Sequence, residues 1–89
     1  MNAKAYILID VADGRSEQVV KALWNKPGVV AVDYVEGPPD VIMVVRAGER
    51  QELAERVIDA LVSVEYLADS VKCLPVIEGN ITNVELKKL

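Results

Sequence analysis

The sequence has no histidine and no phenylalanine, one cysteine, one tryptophan and three tyrosines. Histidine is the one side chain whose ordinary pKa places proton transfer near neutral pH, so general acid–base work here would need a carboxylate raised by burial. Cys73 stands alone. That excludes an internal disulfide and a Cys-x-x-Cys metal-transfer motif, leaves a thiol nucleophile without an imidazole partner, and points to a reducing compartment. Ten basic against 14 acidic residues give a net charge of −4, a balance that argues against the basic face a nucleic-acid binder needs to displace counterions. No apolar run approaches the ~20 residues of a membrane span. Met1 to Lys4 is short and polar and the apolar run Ala5 to Ile9 is stopped by Asp10, so no secretory signal is read. Neither a metal-ligand cluster nor a phosphate-binding glycine loop occurs. The expectation is a cytoplasmic domain without metal or cofactor, and without direct contact to nucleic acid or membrane.

What is present is apolar. Of 89 residues, 52% are apolar, rich for a single small domain, and the surplus suggests surface buried against another chain. Ala5 to Val11 is a β-branched run and reads as a first strand, closed by Asp13-Gly14. From Arg15 to Lys26, Val19, Val20, Ala22, Leu23 and Trp24 fall on one stripe of an amphipathic helix. Ser16 or Asp13 is its candidate cap, Glu17 and Lys21 pair on its wet side, and Pro27-Gly28 ends it. Trp24 is read as core.

Val29 to Glu36 is a second strand, Gly37-Pro38-Pro39-Asp40 a turn, and Val41 to Val45 a third strand. A second helix spans about Glu49 to Val64, with Leu53, Val57, Ile58, Leu61 and Val62 as its buried stripe. Tyr66 to Ser70 is a loop, and Val71 to Ile77 a fourth strand that Pro75 confines to a sheet edge or bulge. Cys73 reads as a small buried hydrophobe there. The chain divides into a domain over residues 1–77 and a polar C-terminal tail over 78–89.

The order βαββαβ is two β-α-β halves. Its compact solution is a ferredoxin-like α+β sandwich, a four-stranded antiparallel sheet with both helices on one face. Strands one and three are apolar on both sides: Ala5, Ile7, Ile9 against Tyr6, Leu8, and Val41, Met43, Val45 against Ile42, Val44. Two helices cover one face, and the other predicts a second copy packed sheet to sheet, a dimeric α+β barrel. The polar tail is a poorer cover.

Pro27-Gly28-Val29-Val30-Ala31-Val32 followed by Gly37-Pro38-Pro39-Asp40-Val41-Ile42 resembles the effector-binding (RAM) domain of the Lrp/AsnC family, with its run of Pro-Gly-Val and then Gly-x-x-Asp-hydrophobic. Ala5 to Ile9 is similar to that domain's first strand, and Val71 to Val76 to the last strand of stand-alone members, which lack the helix-turn-helix reader of DNA. The resemblance covers about residues 4–77. It implies a homodimer, often assembled into a larger oligomer of dimers, with an amino acid or similar effector held between subunits. It also implies full-length Lrp/AsnC regulators as candidate partners.

Carried over, Gly37 lets backbone approach the effector and Asp40 accepts hydrogen bonds from an ammonium. Ser70 and Lys72 stand where the family has Thr-x-Thr: Ser70 keeps a hydroxyl, and Lys72 either meets a carboxylate or faces solvent. Tyr34 on the second strand is open to both the interface and the pocket. Each also has a local role: Gly37 and Asp40 are ordinary turn residues. The function read from these residues is a ligand-binding module that modulates transcriptional or metabolic regulation through assembly, with no catalytic residue assigned. The alternatives are a small cofactor-independent enzyme of the dimeric barrel type and a ligand-free structural oligomer. An RNA-binding reading of the same strand order fails for want of aromatics on the third strand.

Overall fold

The computed structural model describes residues 2–76. Six elements follow in the predicted order: β1 (Ala3–Val11), α1 (Ser16–Leu23), β2 (Val29–Tyr34), β3 (Val41–Ala47), α2 (Arg50–Val62) and β4 (Ala68–Pro75). The strands form one sheet in the order β2-β3-β1-β4, each pair antiparallel. This is the ferredoxin-like α+β sandwich, its two halves interleaved so that β1 and β3 lie at the centre. No helix among the described residues is long and apolar enough to cross a membrane.

The period-two alternation of the central strands fixes the core. Ala5, Ile7, Ile9 and Val11 of β1 and Val41, Met43, Val45 and Ala47 of β3 are buried under the helices. Val19 and Leu23 of α1, and Leu53, Val57 and Ala60 of α2, close over them. The opposite face carries Tyr6, Leu8, Ile42 and Val44 in register, with Leu74 beside Tyr6 on β4. Among the described residues no helix lies on that face, as the two-sided apolar pattern predicts.

Several expectations are corrected. Trp24 is 60% exposed: α1 is shorter than the stripe implied, and Trp24 is its C-terminal boundary residue, beyond the last turn that packs on the sheet. Neither Ser16 nor Asp13 caps α1; the boundary residue is Arg15 and no side chain bonds the first turn. On α2, Ile58 and Val62 are exposed, while Ala60 and, just beyond the helix, Val64 are buried. Cys73 is exposed rather than buried. These last departures share a cause. α2 packs mainly on β3 and β1, and α1 on β2 and β3, so among the described residues the edge strand β4 has little helix cover. β4 also begins at Ala68, within the expected loop, because β1 runs on to Val11 and pairs with it through a register shift at Asp10/Val11. Pro75 does lie in an edge strand, and the Glu17–Lys21 pair forms at 3.1 Å. The boundary at residue 77 and the tail lie outside the described residues.

Candidate functional site

The loop between β2 and β3 is tied to the end of β1 by Asp40. Its backbone N–H donates to the Ile9 carbonyl at 3.0 Å, its own carbonyl accepts from Val35 N–H at 2.8 Å, and its Oδ2 accepts from Val11 N–H at 2.8 Å. Gly37 has no side chain for a direct reason: a Cβ there would collide with Asp40 Oδ1 and with the Pro39 carbonyl. Gly37 and Asp40 therefore pack closely against each other at the two ends of the Pro38-Pro39 pair.

Under Pro38 and Pro39 lies a cavity of about 290 Å³, lined also by Leu8, Asp10, Ser70, Val71 and Lys72. The register explains this set. Asp10 faces Ser70 and Leu8 faces Lys72 across the β1–β4 pair, on the sheet face away from the helices. Ser70 Oγ donates to Asp10 Oδ2 at 2.6 Å, which leaves Asp10 Oδ1 free of that bond. An acceptor-only carboxylate, a hydroxyl and an ammonium thus sit within two residues of one another on one strand pair, beside apolar walls.

Of the residues expected at the site, Ser70 and Lys72 line the cavity. Asp40 and Gly37 shape the loop that roofs it, with the Asp40 carboxylate bonded to backbone. Tyr34 lies opposite Val41 on β2, exposed and outside the lining set. Asp10 was missed: in the sequence it only ends an apolar run. The available signal was its parity with Tyr6 and Leu8, which puts it on the open face. Pro38 and Pro39, read as turn residues, supply the roof. Cys73 faces the helix side, where partial desolvation of the exposed residue raises its thiol pKa. Among the described residues no group of three or more His, Cys, Asp or Glu is placed to hold a metal ion.

Comparison with solved structures shows which known proteins share this fold. TTHA0845 from Thermus thermophilus matches with a TM-score of 0.77 at 25% identity, over 90% of this chain and 99% of its own. AsnC of Escherichia coli matches with a TM-score of 0.71 at 15% identity, and NMB0573 of Neisseria meningitidis, solved as a complex with L-Met, with 0.67 at 15%. Each of these two covers 91% of this chain, which in turn spans only 54% of theirs. No protein-family model and no curated protein matches the sequence. The chain has the fold of the RAM domain of Lrp/AsnC regulators, and its structural neighbours include both such regulators and small stand-alone proteins.

Proposed function

We propose that the chain is a homo-oligomeric sensing module of the Lrp/AsnC type. Two copies pack through their open sheet faces, and an amino acid or similar effector binds in the Asp10–Ser70–Lys72 cavity at the rim of that interface. The carrying observation is that one cavity is lined by both charges: Asp10 can take an α-ammonium and Lys72 an α-carboxylate, with the Ser70 hydroxyl holding the first in place. The L-Met complex of NMB0573 supports the effector class. A second copy would exclude water from the cavity and strengthen both contacts.

A site completed by the partner links occupancy to assembly, since an effector that favours one state must shift the equilibrium toward it. The module would then act from the cytoplasm, by assembling with itself or with full-length regulators of the same type. It is a binding module rather than an enzyme in this reading, because the chain has no histidine and the Asp40 carboxylate is engaged by backbone.

The test is thermal unfolding against the twenty amino acids and common keto acids. An effector at 100 times its dissociation constant adds about 2.7 kcal/mol. Asp10→Asn and Lys72→Met are expected to abolish that shift while leaving unliganded stability within about 0.5 kcal/mol. A panel with no shift overturns sensing. A well-folded particle of single-chain mass at micromolar concentration in the ultracentrifuge overturns the assembly.

A further inference from the structure

One stripe of α2 is turned toward the edge strand β4. Arg50, Leu53, Ala54, Val57 and Ile58 recur at spacings of three and four, so they share one face of the helix. All five line a trough of about 250 Å³ between α2 and the β1–β4 pair. Ala5 and Cys73 form its floor. Both stand on the helix side of the sheet, away from the proposed dimer face, because Cys73 lies opposite the buried Ile7.

The trough is polar at one end and apolar along the rest. α2 and β1 start at the same end of the sheet, since Ala3 pairs with Ala47, three residues before Arg50. Arg50 therefore heads the trough. Ile58, 58% exposed, lies about 12 Å further along the helix axis. Lys4 also lines the trough, but its ammonium stands over the Tyr6 ring, 5.1 Å from the centre, on the other face of the sheet.

Arg50 is a cation without a counter-ion among the described residues. No Asp or Glu lines the trough, and no carboxylate pairs with the guanidinium. Glu52, the acid of the first turn, is already engaged: its Oε1 accepts from Gly48 N–H at 2.9 Å and pairs with Arg56 at 3.6 Å. A cation in a first turn also opposes the helix dipole. The group that suits this end of the trough is an anion, and the group that suits the remainder is a hydrocarbon.

We propose that the α2–β4 trough binds a small carboxylate with an apolar tail, the carboxylate paired with Arg50 and the tail laid over Ala54 and Cys73 toward Ile58. The planar guanidinium matches a carboxylate in shape as well as charge. An apolar cavity of ~150 Å³ takes up a benzene ring, so one of this size takes a tail of about eight carbons. The site is separate from the Asp10–Ser70–Lys72 cavity and stands or falls independently of it.

Octanoate, kept below its micelle-forming range, is the probe, and octanamide is its uncharged isostere. Cys73, exposed on the trough floor, reports occupancy. Saturating octanoate should slow its labelling by maleimide at least about fivefold. Titration calorimetry should show octanoate binding about three- to fivefold tighter than octanamide, the worth of one exposed ion pair. Arg50→Gln should make the two ligands equal. Ala54→Phe, which fills the trough from the helix wall, should abolish binding of both. Arg50 and Ala54 are exposed, and the native sequence alone carries the comparison of octanoate with octanamide should either variant fail to fold. Equal affinity of the native sequence for the two ligands, a preference for octanoate that survives Arg50→Gln, or undiminished binding in Ala54→Phe overturns the proposal. Unslowed labelling of Cys73 overturns it as well, and is the result that a trough filled by a second copy or by another part of the chain would give.

Discussion

The carboxylate of Asp40 works inside the chain before any ligand arrives. Its Oδ2 satisfies the N–H of Val11, beyond the point where the β1–β3 pairing ends at Ile9 and Val41. Asp40→Ala should therefore cost about 1–3 kcal/mol in urea unfolding, and Asp40→Asn, which keeps an acceptor, much less. Loss of effector response in Asp40→Ala would reflect collapse of the roof formed by Pro38 and Pro39, so Asp10 is the residue whose substitution tests recognition. Cys73 makes a different prediction. Partial desolvation raises its thiol pKa, so between the ordinary thiol range and that raised value the folded chain keeps a proton the unfolded chain has lost. Stability then falls as pH rises through this window. The urea midpoint of the native sequence should drop more between pH 8 and pH 10 than that of Cys73→Ser; parallel slopes would show that the folded thiol titrates like the unfolded one.

At the scale of elements, the joint between α1 and β2 rests on Gly28. Its φ is +83°, and a Cβ there would lie 2.7 Å from the Arg46 carbonyl, whose own N–H donates to the Gly28 carbonyl at 2.8 Å. Gly28→Ala should cost about 1–3 kcal/mol, a fall in Tm of at least about 4 °C, measured by calorimetry. Pro-Gly in the sequence announced that joint, and the two-sided apolar runs of β1 and β3 announced the bare sheet face, because period and turn chemistry are local properties. What was not legible is lateral. A helical stripe says that Leu53, Val57, Ile58 and Val62 share a side of α2, but not how far the helix is displaced across the sheet. Displacement toward β3 leaves Ile58, Val62 and Cys73 uncovered. The site was hidden for a related reason: Asp10 acquires its meaning from Ser70, sixty positions away, through a β1–β4 register that no local window contains.

For the whole molecule, the open face has polarity as well as grease. Lys4 and Arg46 stand opposite each other at one end of the β1–β3 pair, with the Lys4 ammonium 5.1 Å from the centre of the Tyr6 ring. Apolar Tyr6, Val44, Leu8 and Ile42 fill the middle, and Asp33 and Asp10 lie toward the other end, across from Ile42 and Ser70. A two-fold axis in the interface plane, running across the strands, sets each basic end over the partner's acidic end; an axis running along the strands would stack like on like. In the proposed dimer, charge selects the first, while the apolar middle supplies the affinity. Arg46→Glu should then weaken the dimer about three- to tenfold at low salt, the size expected of two exposed symmetry-related charge pairs. Adding Asp33→Arg to it should recover most of the loss, and at ~0.5 M salt, where the Debye length shrinks to a few ångström, the variants should converge. Sedimentation equilibrium measures all three. Tighter association of Arg46→Glu would place like ends together and turn the axis by a right angle, moving the cavity of each subunit next to its twin instead of to the basic end of the partner.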